Sequence, residues 1–281
     1  MLIDKPVGWT SHDVVAVVRR QLGLRSVGHA GTLDPFATGL LVVLVGRATR
    51  LARFVEAERK VYQTTVEFGV ATDTDDATGT VTAQLVPESW PTLPQLAHAA
   101  SQLEGVQQQR PPAYSAKHVN GKRAYAMARA GEVVELPPVE VMVHALTLQD
   151  WSPPHLTLMA TVGRGTYIRA LARDLGTLVG LPAHCHALRR TAIGPFAVAD
   201  AVAPEAVTAA VLRSPAAMVG SLPRLTVTAE ERRDIGFGRA IAQREAGTGH
   251  VALLDAAGAL LAVAVAHEGR WQPEVVLEPA A

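Results

Sequence analysis

The sequence predicts an α+β protein on three observations: a helix punctuated at both ends, strands of period-2 alternation lying between helical segments, and a closing run of short strands. "TSHDVVAVVRRQLG" places Thr10 three residues before Asp13, as a capping box does. It then repeats Val14, Val17, Val18 and Leu22 near helical spacing and stops at Gly23. In "KVYQTTVEFGV", Tyr62, Thr64, Val66, Phe68 and Val70 fall on one face of a strand and Gln63, Thr65 and Glu67 on the other. After Pro and Gly punctuation near Ser221, "HVALLDAAGALLAVAVAHEGRWQPEVVLEP" holds three strand-like runs separated by turn signals.

The remaining elements follow in chain order. "LLVVLVG" reads as a buried strand and "RATRLARFVEAE" as the helix after it; the acidic "TDTDDATG" reads as a turn. "HLTLMATVG" is a strand that leads through "GRGT" into a helix, "YIRALARDLGTLVG", capped by Thr166. "PEAVTAAVLRSPAAMVGSLP" reads as a helix ending in punctuation, and Thr228 to Glu231 form a second capping box on a short helix. The Pro-flanked basic stretch 107–138, "QQQRPPAYSAKHVNGKRAYAMARAGEVVELPP", reads as an insertion and not a core layer, with "AYAMARAG" a short helix inside it. A catalytic-sized domain over 1–221 and a small β-rich domain over 222–281 are therefore expected.

At 281 residues and 48% hydrophobic composition the chain can fill a real core. Its single cysteine, Cys185, has no partner for an internal disulfide, and the first residues lack a signal-peptide succession, so a cytoplasmic protein is expected. The apolar windows fall short of the roughly 20 residues of a membrane-crossing helix, and no membrane partner is expected. Net charge is zero, which by itself gives no support to a nucleic-acid partner. Charge is nevertheless segregated: residues 1–60 carry nine Lys/Arg against five Asp/Glu, and residues 110–129 carry five basic residues and no acid. Such segregation suits a polyanion-binding face on a neutral protein, and solvated Arg-rich helix faces would give the same pattern.

Several chemistries lack their motif. No G-x-x-x-x-G-K-[ST] occurs, and "GRGTYI" puts Ile168 where a dinucleotide fingerprint needs its third glycine. No G-x-S-x-G elbow supports a serine nucleophile. In "HCH", only His184 and His186 can share a metal, because adjacent strand residues face opposite ways, and the local sequence supplies no third or fourth ligand. Asp34 stands in "GHAGTLDPFATGLLVVLVG" with no cation within four residues. "TLDP" is good turn chemistry, while Gly28, Gly31 and Gly39 would let the backbone pass close to a ligand, so both a turn role and a reactive role stay open.

"HAGTLDPFATGLL" resembles the catalytic motif of the TruB family of tRNA pseudouridine synthases, usually H-x-G-[TA]-L-D-P-x-A-[TS]-G. Further motifs follow in the family's order: "IDKPVGWTSHDVV", "VYQTTVEFGVATDTDDATG", "RPPAYSAKHVNGKRAYAMARAG", "GRGTYIRALARDLG" and "AHCHALRRTAIGPF". The resemblance covers residues 2 to about 200; beyond Leu222 it rests on length and β pattern. It implies a pseudouridine synthase fold, with a mixed, mainly antiparallel central sheet flanked by helices, and a small PUA-like C-terminal domain.

The resemblance also implies the chemistry: a uridine at position 55 in the tRNA T-loop is flipped out and isomerised, with no cofactor and no metal, by a monomer. Asp34 is then the nucleophile, and Arg169 of "GTYIR" pairs with it to keep it charged. Tyr62 stacks on the target base and is a candidate proton acceptor. His29 would fill the space the base leaves, Lys5 would line the pocket, and Leu188 would be an apolar wall. Gly31 and Thr32 belong to the catalytic motif. Arg110, Tyr114, Lys117, Lys122 and Arg123 would grip RNA from a thumb-like insertion. Attack at C1′, a glycal route through C2′ deprotonation and attack at C6 are all compatible, the glycal route being preferred. Before "GTYIR" this chain has "VGRG", where the family often has Ser or Cys with Lys or Gly; Arg164 keeps a cation there. Two other readings remain: an RNA-binding or RNA-folding module without catalysis, and a metal-dependent hydrolase built on "HCH".

Overall fold

The computed structural model describes residues 1–114, 118–119, 122–123, 136–244 and 247–278. The first half runs β1 (Leu2–Lys5), α1 (Ser11–Leu22), β2 (Val27–Ala30), β3 (Thr38–Val45), α2 (Ala52–Ala57), β4 (Lys60–Phe68), β5 (Val70–Thr72), β6 (Val81–Gln84), α3 (Leu93–Gln102), β7 (Gly105–Gln109), β8 (His118–Val119) and β9 (Lys122–Arg123). There follow β10 (Val139–Ser152), β11 (His155–Val162), α4 (Ile168–Leu178), β12 (Ala183–Ile193) and β13 (Phe196–Ala197). The C-terminal module holds β14 (Arg224–Thr226), α5 (Ala229–Gly236), β15 (Ile241–Ala242), β16 (His250–Leu254), β17 (Leu260–His267) and β18 (Arg270–Val276).

Among the described residues the central sheet has nine strands, in the order β1-β3-β12-β4-β11-β10-β7, with β2 on β3 and β13 on β12. Every pairing is antiparallel except β3 with β12, so the sheet is mixed and mainly antiparallel, as expected. The alternation of β4 decides its two faces: Tyr62, Thr64, Val66 and Phe68 are buried and Gln63 is exposed. On the buried face lie α3 and α4, whose Leu96, Leu171 and Leu175 pack against Val66, Leu156 and Leu158. Helix α1 forms as its sequence predicts, with a complete Thr10–Asp13 capping box and Gly23 closing it at φ +64°.

Three local expectations change. "RATRLARFVEAE" divides into a 3-10 turn over Gly46–Leu51 and a six-residue α2. The Thr49 hydroxyl donates to the Gly46 carbonyl at 2.8 Å, a local bond that competes with the helical ladder. "PEAVTAAVLRSPAAMVG" forms three 3-10 turns and no α-helix, because Val207 is drawn into one core cluster and Met218 and Val219 into another. Residues 107–109, inside the expected insertion, belong to β7, the edge strand of the central sheet, and pair with β10. The expected helix "AYAMARAG" lies outside the described residues, as does Lys117.

The C-terminal module is a five-stranded sheet, β14-β16-β17-β18-β15. One side packs on α5 through Ile235, Leu253 and Trp271. The other side, with Leu254, Leu260, Val263 and Val275, joins Leu2, Leu40, Leu44 and Val55 in one continuous core.

Candidate active site

Asp34 opens the turn that the sequence suggests: the Ala37 N–H donates to the Asp34 carbonyl at 3.1 Å, with Pro35 next in the chain. The turn sits between β2 and β3 and aims the carboxylate into a cavity of about 800 Å³. Tyr62 from β4, Leu188 and Arg190 from β12, Tyr114, and Gly163 to Arg169 from the entry into α4 line the same cavity, together with Gly31 and Thr32. Among the described residues its lining holds five cationic side chains, Arg53, Lys60, Arg164, Arg169 and Arg190, against three carboxylates, Asp34, Glu56 and Glu140. A neutral chain thus concentrates positive charge where a polyanion would lie.

Arg169 Nε lies 3.0 Å from Asp34 Oδ2. The guanidinium is fixed on its other sides as well. Its Nη1 lies 3.3 Å from Asp76 Oδ2 and donates to the Thr74 carbonyl at 2.8 Å, and its Nη2 donates to the Tyr114 carbonyl at 2.9 Å. Arg169 is 4% exposed, so it reads as a buried fork clamped between two carboxylates and not as a surface cation. Burial pushes the Asp34 carboxyl up from the usual carboxylate range, Arg169 opposes that rise, and the like charge of Asp76 adds to it. The arginine therefore offsets part of the desolvation of Asp34, not all of it.

The acidic turn proves to be the scaffold of this pair. Asp76 is buried and accepts at Oδ1 from the Thr74 hydroxyl (2.9 Å), the Thr78 amide (3.0 Å) and the Thr78 hydroxyl (2.6 Å). Asp75 holds Arg173, one turn along α4, at 2.8 Å. The turn itself is bound to β12 on both sides of Cys185: the Cys185 amide donates to Asp75 O at 3.0 Å and the Ala77 amide to Cys185 O at 3.2 Å. Burial pushes the Cys185 thiol up to about 12, which removes it as a thiolate nucleophile or ligand.

Helix α4 begins at Ile168 with Tyr167 as its N-cap, and no side chain caps it. The expected cap, Thr166, instead donates to the Gly163 carbonyl at 3.2 Å. Gln109 does the anchoring: its Oε1 accepts from the Tyr167 amide at 2.8 Å and its Nε2 donates to the Tyr167 carbonyl at 3.1 Å. Gln109 is 2% exposed, and it sets the residue that aims Arg169.

Lys5 does not line the cavity. It is fully buried under the turn, donating to the carbonyls of Pro6 (2.9 Å), Trp9 (2.7 Å) and Pro35 (3.4 Å), and burial lowers its pKa to about 8. It thus braces Asp34 from behind. His29 sits on strand β2, half-buried; it is not in the cavity lining, and its Nδ1 is buried without a hydrogen-bond partner. Burial lowers its pKa, with Arg190 acting in the same direction. Arg190, which the sequence did not single out, is 1% exposed and donates to Leu40 O (2.7 Å) and Gly31 O (2.9 Å), tying the Asp34 loop to β12. Gly39 permits that approach: at φ +102°, a Cβ there would lie 2.3 Å from the Arg190 carbonyl oxygen. Arg110 is exposed and its carbonyl accepts from Arg173 at 2.9 Å. Lys122 and Arg123 form the two-residue strand β9, paired with β8.

"HCH" has more neighbours than its own segment reveals. Glu67 on β4 lies opposite His184 on β12 and His155 on β11, and Glu67, His155 and His186 offer ligand atoms within 4.8 Å of one another. A third ligand atom is present after all.

The fold is shared with solved structures of low sequence identity. A chain of a Cbf5-Nop10-Gar1 complex aligns with a TM-score of 0.74 at 23% identity, over 99% of this chain and 85% of that one. A chain of an H/ACA RNP bound to a substrate RNA aligns at 0.73 and 22%, over 99% and 85%. These likenesses show a shared fold. The family then follows from sequence: residues 19–168 match the model described as TruB family pseudouridylate synthase (N terminal domain). Residues 169–226 match a tRNA pseudouridylate synthase B C-terminal domain and 222–278 a tRNA Pseudouridine synthase II, C terminal. Proteins named tRNA pseudouridine synthase B are 43% identical in Thermobifida fusca, over 98% of this chain and 97% of the relative, and 39% identical in Synechococcus sp., over 99% and 97%. The chain belongs to the TruB family.

Proposed function

We propose that this protein isomerises uridine to pseudouridine at position 55, in the T-loop of tRNA, with Asp34 as the nucleophile. The observation that carries this reading is the Asp34–Arg169–Asp76 chain of ion pairs at the base of a cationic cavity, in a member of this family. The bond from ribose C1′ to uracil N1 breaks, the base turns over, and C1′ rejoins at C5, which gives up its proton while N1 gains one. Atoms and electrons balance within the nucleotide, so the reaction itself calls for no redox partner. A base inside a folded loop must leave its stack to reach Asp34, at a cost of a few kcal/mol. Tyr62 and Leu188 supply the apolar flanks against which the flipped base lies, and Tyr62 is placed to take the C5 proton. Arg169 holds Asp34 in line for attack, and Arg164, exposed at the rim, meets phosphate.

Residues 1–221 act as the catalytic domain, with the stretch around 107–138 as the RNA-gripping thumb that carries Arg110, Lys117, Lys122 and Arg123, and 222–281 as the C-terminal domain. His29, two residues before Gly31, fills the space that a flipped base vacates. The working unit is a monomer, and the free buried thiol of Cys185 suits the cytoplasm. The test is incubation of purified protein with an unmodified tRNA transcript and mapping of the modified position. Asp34→Asn should abolish pseudouridine while leaving tRNA binding within about threefold, since uniform binding does not need a group that acts in the transition state. Modification retained by that variant would overturn the assignment of the nucleophile.

A further inference from the structure

We propose that Glu67, His155 and His186 form a binding site for one zinc-class divalent metal ion, on the face of the central sheet opposite Asp34 and remote from the reaction. Glu67 faces away from Tyr62, because the two differ by an odd number of positions on β4, and it lies roughly 16 Å further along the strand at about 3.3 Å per residue. Its direct cross-strand neighbours are His155 on one side and His184 on the other, in three adjacent strands. A bulge between Cys185 and Ala187 leaves His186 beside the same carboxylate.

The result is three imidazoles converging on one oxygen. Glu67 Oε2 lies 2.9 Å from His186 Nδ1, 3.6 Å from His184 Nε2 and 3.7 Å from His155 Nε2. His184 Nδ1 is 3.0 Å from the Val70 carbonyl, which can only accept, so Nδ1 carries the proton. In the neutral ring Nε2 then presents a lone pair to the carboxylate, a repulsion that a cation bound to Glu67 relieves.

Imidazole and carboxylate donors in this ratio suit zinc and its first-row neighbours. Tetrahedral zinc at 2.0–2.1 Å needs donors about 3.4 Å apart, so the trio must contract by about 1.5 Å from its present outer limit. The freedom to do so exists, since the His155 and His186 side chains are 41% and 46% exposed, and that exposure also gives an ion its way in. On binding, the metal replaces the proton between His186 Nδ1 and Glu67, which moves to Nε2 of the same ring. Glu67, His155 and His186 are the ligands, and Cys185, between His184 and His186 in the chain, faces Thr64 on the other side of the sheet at 3.2 Å.

The experiment uses untagged full-length protein stripped with chelator and titrated with zinc alone, by calorimetry and equilibrium dialysis, with cobalt as a spectroscopic stand-in. The expected result is one ion per chain at micromolar affinity or better, a visible cobalt band, and a melting temperature that rises with zinc. His155→Ala and Glu67→Gln should each weaken binding by more than about tenfold, the least that loss of even an outer partner costs, and abolish the rise in melting temperature. His186→Ala, at the most exposed of the three, provides the same comparison should either of the others fail to fold. Absence of saturable binding, or equal affinity in parent and variants, overturns the proposal. None of these readouts depends on pseudouridine formation.

Discussion

Replacing Asp76 by Asn separates the two duties of the carboxylate at the centre of the acidic turn. Its Oδ1 accepts from the Thr74 hydroxyl and from the Thr78 amide and hydroxyl, and an asparagine oxygen keeps those bonds. What is lost is the charge facing Arg169 Nη1 at 3.3 Å, where an amide NH2 would now meet a guanidinium NH2. Breaking one side of a buried ion pair costs about 3–5 kcal/mol, and the three retained bonds place this change near the lower figure. At about 2 °C per kcal/mol for a chain of this size, the variant should melt about 6 °C below the parent. The effect on catalysis has a definite sign. Asp76 is one of the groups that raise the Asp34 pKa, so its neutralisation lets Asp34 ionise at lower pH. The acid limb of single-turnover kcat/KM should therefore move down in pH, although the plateau falls as Arg169 loses a fixed partner. Thermal melts by circular dichroism and a pH series of tritium release from C5-labelled tRNA read the two effects. A variant that melts with the parent and keeps its acid limb would refute the positioning role of Asp76.

Other consequences are as direct. Arg169→Lys keeps the charge but not the fork that holds Asp34, Asp76 and two carbonyls together; kcat should fall by about 100-fold, the scale of an ångström-sized misplacement, with tRNA affinity little changed. A loss confined to affinity would make it an RNA-binding residue instead. Gln109→Ala strips both bonds from the Tyr167 backbone and should cost about 1–3 kcal/mol in urea unfolding, with a lower kcat at unchanged tRNA affinity; wild-type turnover would show that α4 needs no such anchor. Burial lowers the pKa of Lys5 and Lys60 from 10.5 to about 8. Between those values the unfolded chain binds more protons than the folded one, so stability contributed by these lysines rises with pH from about 8 to about 10.5, by at most about 3 kcal/mol each. Unfolding free energy measured across that window should climb less steeply in Lys5→Met, and an unchanged slope would count against the burial of its charge.

Much of this was legible because it is local. The capping boxes at Thr10 and Thr228 and the alternation of β4 are encoded within a few residues of where they act, and the structure keeps all three. Asp34 and Arg169 were legible through the ordered motifs, and the 3.0 Å between them places side by side two residues far apart in the chain. What escaped is held by partners distant in sequence. Nothing next to Gln109 shows that its amide meets Tyr167, 58 residues on. Asp76 looked like one more acid in a solvated turn because its cation comes from α4. Lys5 looked like a pocket residue because the motif fixes its neighbourhood, not the side of the Asp34 loop on which it lies. Arg190 needed the parallel pairing of β12 with β3, which no local pattern announces.

The C-terminal module shares its hydrophobic interior with the catalytic half, and Arg53 and Arg50 reach across to Glu274 at 2.5 Å and to the Val276 carbonyl at 3.1 Å. It behaves mechanically as a weld, not a hinge. Separating the module from the rest would open that interior to water, so the two parts keep a set spacing. The weld also makes the two parts depend on each other: cutting the chain near Ser221 would lay bare Leu2, Leu40, Leu44 and Val55, so the N-terminal part would lose solubility.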